Sequence, residues 1–415
     1  MERTTCCVVG GGPAGMVLGL ILARAGVEVT VLEKHGDFLR DFRGDTVHTS
    51  TLTLIDELGL WPRFDQLPYR ALTRARIRMD GGEATLGDLS RLDAPHPMIA
   101  MTPQWHLLDM LATAAREEPT FTLRMRAEVT GLVRTGERVT GVRLADGSEL
   151  AADLVVACDG RDSRVRAESG LPLHRYDVPI DVEWFRVPRH ADDPDGGLGR
   201  VGRGRFLVML DRADYFQCAL VIGKGTDARL RSGRVEAFHD FLVAMNPWLA
   251  GRLDDLAWDD VKLLEVSLDR LTRWWAPGLL CIGDAAHAMS PIGGVGINLA
   301  VQDAVAAARL LAAPLLAHDP AAVDRAGRAV QRRRTPATVI TQTAQDLAHR
   351  RVVAPVLDAE PTDDADRMPF PVRLMKRFPA LQWLPARVVG IGVLPEHAPD
   401  FARRPPLPVV AAPAS

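Results

Sequence analysis

Only three of the 415 residues are tyrosine, and aromatic residues make up 6% of the chain. One-signed charge is also missing. Fifty Lys and Arg against 53 Asp and Glu leave a net charge of −3, which gives no electrostatic case for nucleic acid or an acidic membrane. No apolar run reaches the roughly 18 residues of a membrane span. The N-terminal apolar stretch has no basic leader or small-residue cleavage site, so it reads as a strand and a glycine loop, not a signal peptide. Cysteines number five, with no C-x-x-C and no zinc-like spacing, so no metal site is expected. Cys6, Cys7, Cys158 and Cys281 fall in predicted core strands and Cys218 in an apolar strand. Reduced structural thiols, and with them a cytoplasmic address, are the expectation. The basic cluster Arg328, Arg332, Arg333 and Arg334 lies in a helical pattern and reads as a solvated helix face.

What the chain does have is glycine in particular places. Residues 6–9 read as a buried strand, followed by Gly10-x-Gly12-Pro13-Ala14-Gly15, a helix to about residue 25, and a second strand over 27–32 ending at Glu33 and Lys34. This is the dinucleotide fingerprint in its required context. The glycines permit a tight turn and close approach of a pyrophosphate, and the acid about 20 residues on suits ribose hydroxyls. Glu33 would repel a 2′-phosphate, so the dinucleotide is FAD or NAD, not NADP.

A second segment runs from Gly283 to Leu299, reading G-D-A-A-H-A-M-S-P-I-G-G-V-G-I-N-L. It follows an apolar strand (279–282) and leads into an alanine-rich helix. Asp284 can accept from ribityl hydroxyls. Gly293, Gly294 and Gly296 let backbone approach a flat ring, and the helix N-terminus offers unpaired N–H groups and a positive dipole end. A third segment places Asp159-Gly160 after a buried strand over 154–158 and before a basic helix start. Alone, that dipeptide is a common turn; its information lies in the order of the three segments.

Together the three motifs resemble those of the single-component FAD-dependent aromatic hydroxylases, the p-hydroxybenzoate hydroxylase type. The resemblance covers roughly residues 4–60, 100–170 and 270–310. It implies that Gly10, Gly12 and Gly15 meet the FAD pyrophosphate and Glu33 the adenosine ribose. It implies that Arg43 lies near the pyrophosphate and active site and Gln104 beside the ribityl chain. Asp284 would bind the ribityl chain, Pro291 would line the ring, and Ile297 and Asn298 would meet the pyrimidine edge. Asp159 and Gly160 match the motif tied to both FAD and pyridine nucleotide. The implied activity uses NAD(P)H and O2 to hydroxylate an aromatic substrate through a flavin C4a-hydroperoxide. Arg43 and Pro291 are the candidate catalytic residues. No base emerges, because Tyr69, Tyr176 and Tyr215 sit in no matching motif. His48 could line the pocket, and His287 reads as loop support. Baeyer–Villiger or epoxidising chemistry, and a non-catalytic flavin redox sensor, stay open as alternatives. A halogenase reading lacks its W-x-W-x-I-P.

The expected fold is α/β. A discontinuous Rossmann-like FAD-binding domain (1–70, 98–173 and 271–350) carries an inserted antiparallel β-sheet substrate domain (71–97 and 174–270) and C-terminal short helices (351–415). In the insert, 178–187, 205–210 and 215–222 read as strands separated by polar or glycine-rich turns at 192–204 and 211–214. A helix over 234–245, stopped by Asn246-Pro247, would back that sheet. A long helix over about 321–351 would close the FAD domain. The tail carries 12 of the 29 prolines. Its two short amphipathic helices, from Phe370 and from Leu384, are expected to cap the substrate cavity, and its last dozen residues to be disordered. Trp105, Trp184, Phe185 and Phe216 would furnish a pocket for a bulky apolar aromatic, a polyketide-like or other natural product. A monomer or homodimer is expected.

Overall fold

The computed structural model describes residues 2–39, 46–79, 81–193, 198–202, 204–358, 368 and 370–408. Five parallel strands form its central sheet, in the order Leu279–Cys281, Glu149–Ala157, Glu2–Val9, Val29–Leu32 and Phe121–Arg124. Cys6, Cys7 and Val8 are fully buried, as continuous apolar runs must be when helices cover both faces of a parallel sheet. The hairpin Val129–Thr135 and Arg138–Leu144 extends one strand antiparallel, and Trp275–Ala276 adds an antiparallel edge. The fingerprint helix Pro13–Arg24 and the alanine-rich helix Val295–Leu316 pack together against this sheet. Ala304, Ala306, Ala307 and Ala308 have no exposed surface, so small side chains set that close approach.

Contrary to the sequence reading, the segment Ile292–Leu316 is long and apolar enough to cross a membrane by length and composition. Within it, 72% of the apolar window is buried inside the protein, as a core helix requires.

The second sheet has seven strands, in the order Lys262–Leu264, Ile180–Pro188, Tyr215–Gly223, Arg205–Asp211, Leu198–Gly202, Arg74–Met79 and Gly82–Asp88. Two features depart from the sequence reading. Leu198–Gly202 is a strand inside the stretch read as a turn, and it pairs parallel with Arg74–Met79, so the sheet is not purely antiparallel. That pairing joins two chain segments more than 100 residues apart, which no local pattern reports.

The sheet's two faces differ. Phe185, Val187, Phe216 and Leu220 pack under the helix Val235–Met245 through Phe238 and Leu242. Ile180, Val182, Ala219 and Val221, with Trp184 and Phe206 partly buried beside them, meet Met289, Leu299, Ala337 and Val353. Phe185 and Phe216 therefore lie on the helix-covered face and do not furnish the pocket predicted for them. Trp105 packs against the core of the parallel sheet instead. Only Trp184 of the four stands on the inner face. Strand period two decides this: a side chain and its neighbour point to opposite faces.

One buried charge cluster ties these layers together. Asp303, with no exposed surface, accepts from Gly283 N (3.2 Å), His287 Nε2 (2.5 Å) and Arg334 Nε (2.9 Å). Arg334 Nη1 also donates to Leu394 O (3.0 Å) and lies 3.6 Å from Glu396, which Arg333 grips at 2.6 and 2.8 Å. Arg328, Arg332 and Arg333 are exposed, as a solvated helix face requires, but Arg334 departs from that expectation and is completely buried. Burial works against Asp303 ionisation, but His287 and Arg334 outweigh it and hold the carboxyl below its ordinary range. Removing one member of a buried ion cluster leaves its partner charge uncompensated. Asp303→Ala should therefore lower the urea-unfolding free energy by about 3–5 kcal/mol; a loss under 1 kcal/mol contradicts this account.

Glu183 carries the opposite sign of linkage. Its carboxyl is buried on the helix-covered face beside Asp227, with Arg231 Nη2 at 3.2 Å. Burial first, then Asp227, pushes it up to about 8, with Arg231 pulling it only part of the way back. The folded protein thus keeps a proton that the unfolded chain releases above its ordinary pKa near 4.5. Its contribution is intact at low pH and is lost as pH rises from about 5 to about 8, at no more than about 1.4 kcal/mol per pH unit. Unfolding titrations at pH 5 and pH 8 should show a smaller fall for Glu183→Gln than for the unaltered protein. Equal falls would remove Glu183 as the cause.

Candidate functional site

The three motifs converge where the parallel strands end. Val9 leads into Gly10, whose φ of +105° only glycine adopts readily; a Cβ there would lie 2.4 Å from Cys158 O. That oxygen belongs to the strand carrying Asp159, and Cys158 N donates to Val9 O at 2.7 Å. A Cβ on Gly15 would lie 2.0 Å from Gly10 O, so the turn closes only with glycine at both positions. Gly12 differs: a Cβ there meets nothing within 4 Å. It is the N-cap of the fingerprint helix, with no side-chain cap, Pro13 in the first turn and no acid there. Uncapped N–H groups facing open space at a helix N-terminus fit a diphosphate. Ala14 is buried against the Gly283 turn.

Glu33 is buried, and its carboxylate accepts from Gly11 N and His35 N, each at 3.0 Å. The two backbone donors aim the acid at the turn. Lys34 is exposed. Arg43 lies outside the described residues. Gln104, half-buried, opens the helix Gln104–Arg116 behind Pro103.

Asp159 is occupied locally. It accepts from Ser163 Oγ (2.6 Å) and Val165 N (3.2 Å), while Ser163 Oγ accepts from Arg166 N and caps the helix Arg164–Ser169. Burial raises its pKa despite those bonds. Gly160 has φ +86° and open space above it. What reaches Asp284 is Arg161, whose Nε donates to Oδ2 at 3.2 Å and whose Nη2 donates to Met289 O at 3.1 Å. Arg166 Nη1 donates to Asp284 O at 3.2 Å. In the sequence the only signal for these two arginines is their spacing within D-G-R-D-S-R-V-R.

The Pro291 loop is clamped from behind. Gln345 Nε2 donates to Ser290 O and Ile292 O (3.0 Å each), and its Oε1 accepts from Ser290 N at 3.2 Å. Ser290 Oγ lies 2.9 Å from His349 Nε2. Pro291 then caps a tight turn through Gly293 (φ +81°) and Gly294 (φ +64°), from which the helix Val295–Leu316 starts with no side-chain cap. Gly296 faces Met289, and Ile297 packs on the main core. Asn298 is held by Ser50 Oγ (2.9 Å) and Thr51 Oγ1 (2.5 Å) on its Oδ1.

His48 is buried beside Gly294. Its Nδ1 donates to Val389 O at 2.8 Å, and burial lowers its pKa, so the ring is neutral. The tyrosines lie apart from one another: Tyr69 donates to Asp65, Tyr176 stacks edge-on with His174, and Arg186 covers Tyr215 at 4.8 Å.

A sheet whose strand ends gather two uncapped helix N-termini, an inward acid and a glycine-walled slot is that of an FAD-binding oxidoreductase. A family described as an FAD binding domain matches residues 3–343. The 6-methylpretetramide 4-monooxygenase of Streptomyces rimosus is 35% identical over 359 residues, covering 85% of each chain. A probable FAD-dependent monooxygenase of Pseudomonas aeruginosa, PqsL, superposes with TM-score 0.71 at 21% identity, over 86% of this chain and all of that one. A flavin-dependent brominase, Bmp2, superposes with TM-score 0.76 at 17% identity, over 94% of both chains, a likeness that shows the fold alone. The chain belongs to the single-component FAD-dependent aromatic hydroxylase family, and it is a flavoprotein monooxygenase.

Gly12 and Gly15 separate binding from folding. Gly12→Val should leave the apoprotein's melting temperature within a few degrees yet weaken FAD retention by about tenfold or more. Gly15→Val should destabilise the apoprotein itself by about 1–3 kcal/mol or more, through the clash with Gly10 O. Flavin absorbance per protein, beside apoprotein melting curves, checks both. Full flavin content in Gly12→Val would refute the diphosphate assignment.

Proposed function

We propose that the enzyme uses NAD(P)H and O2 to hydroxylate a polycyclic, polyketide-type aromatic compound. The observation that carries this is the junction of the two uncapped helix N-termini with the apolar inner face of the seven-stranded sheet. The Streptomyces relative acts on such a compound by its name, which supports the substrate class. Bound FAD supplies the reduction by nicotinamide and the activation of O2.

The chain's own residues bind, orient and exclude water. The turn from Gly10 to Gly15 takes the diphosphate, and Glu33 the ribose hydroxyls, where its charge disfavours a 2′-phosphate. Asp284, oriented by Arg161, accepts from ribityl hydroxyls, with Gln104 as the second ribityl contact. The helix start over Gly294, Gly296, Ile297 and Asn298 would hold the pyrimidine edge, and its positive end would favour negative charge there. Gly160 leaves room beside the strand ends, while Asp159 shapes that turn by capping. Trp184, Phe206, Met289 and Ile292 form an apolar wall, and water exclusion is what oxygen transfer needs. Trp184 Nε1 is buried without a partner among the described residues and offers that wall one donor for a substrate oxygen. Neutral His48 holds the Gly294 turn against Val389 and carries no charge into the site. Pro291 would line the ring. Residues 1–70, 98–173 and 271–350 make the cofactor unit and 71–97 with 174–270 the substrate unit, in a cytoplasmic enzyme.

The test is turnover of polycyclic phenols with NADH and NADPH under 18O2. The expected product is heavier by one labelled oxygen, with substrate-stimulated nicotinamide oxidation. An unlabelled product, or a halogenated one when halide is supplied, overturns the proposal.

A further inference from the structure

The helices Val295–Leu316 and Pro320–Ala348 and the C-terminal stretch 388–393 leave a cleft of about 180 Å³ between them. Its walls are mostly apolar, including Ile292, Val295, Ile340, Ala344, Val388 and Val393. Five polar residues line it as well, Asn298, Gln302, Arg334, Thr341 and Gln345; of these Gln302 and Arg334 are 3% and 0% exposed. Both are partly used. Gln302 Oε1 accepts from Glu396 N, and Arg334 Nε and Nη1 donate to Asp303 and Leu394. Gln302 Nε2 and Arg334 Nη2, however, have no hydrogen-bond partner among the described residues. Buried donors are almost always met, so two unmet donors on one apolar cleft mark the place of an acceptor.

Charge decides which acceptor. Arg334 faces Asp303 at 2.9 Å and Glu396 at 3.6 Å, and Arg333 lies 2.6 Å from Glu396. Two cations meet two carboxylates, so this cluster is already balanced. A carboxylate ligand would add an uncompensated negative charge beside Asp303 and Glu396. A neutral carbonyl oxygen takes both donors and adds none. Size decides the rest: an apolar cavity of about 150 Å³ holds one benzene ring.

We propose that this cleft binds a small, uncharged, mostly apolar carbonyl compound, such as a monocyclic aryl ketone, whose oxygen accepts from Gln302 and Arg334. Because Ile292, Gly293 and Val295 line the same cleft, its occupant presses on the turn from which the helix Val295–Leu316 begins. Ile292 and Asn298 also belong to the site assigned above, so the cleft adjoins that site, but the binding proposed here does not depend on which compound the enzyme oxygenates.

Calorimetric titration of the FAD-loaded enzyme with acetophenone tests this, with ethylbenzene and benzoate as comparisons and neither nicotinamide nor turnover required. Acetophenone should bind saturably and about tenfold or more tighter than either comparison. Ala344→Trp, at an exposed position on the cleft, should abolish that binding while flavin content and circular dichroism stay unchanged. Absence of saturable acetophenone binding overturns the proposal. So does equal affinity for ethylbenzene, tighter binding of benzoate, or undiminished binding in Ala344→Trp. The comparison among the three ligands stands on the unaltered enzyme and decides the matter even if the variant fails to fold.

Discussion

The carboxylate of Asp303 is the point on which the site depends. From the middle of the core helix it accepts one hydrogen bond from the Gly283 turn, one from His287 on the same loop and one from Arg334 on the following helix. A buried anion is tolerated only when every lone pair facing the interior has a donor. Meeting that requirement sets the position of the G-D-A-A-H loop against both helices at once. Through Arg334 and Glu396 it also sets the chain near residues 394–396. Asp284 is therefore presented by a loop whose opposite side is anchored in the core, which is what lets a surface carboxylate hold a fixed direction.

A second constraint acts on the other motif and is steric. Gly10 and Gly15 are in backbone contact, and Gly10 also touches Cys158 O, so the fingerprint turn and the Asp159 turn are packed as one unit. The charge cluster fixes the Gly283–Leu299 end of the site and the glycine contact fixes its Gly10–Gly15 end. Parallel strands joining the two make their separation a property of the sheet. Arg161 and Arg166 bridge them by reaching from the Asp159 turn to Asp284, Ala285 and Met289.

The strands, the glycine turns and the helix starts could be read locally because each rests on local physics. Cys6 to Val9 are apolar without alternation, Gly10 must be glycine where its strand turns, and Asn246-Pro247 ends a helix by removing a donor. The roles of Phe185 and Phe216 were not legible, since both faces of their strands are apolar and alternation alone cannot say which face the cofactor shares. The strand Leu198–Gly202 hides among glycines and charges, and its stability comes from Arg74–Met79, far away in sequence. Arg334 reads as one more cation in a run of arginines; only its opposition to Asp303 across two packed helices removes it from solvent.

By itself, then, the sequence determined the cofactor class and the family, because a diphosphate and a flat ring demand glycines, an acid and helix termini at set spacings along the chain. Tertiary structure alone decided which aromatic side chains face the inner side of the seven-stranded sheet, which acid is spent on capping and which arginine is buried. Those outcomes turn on contacts between segments 30 to more than 100 residues apart, where packing and the need to satisfy buried charge outweigh any local preference.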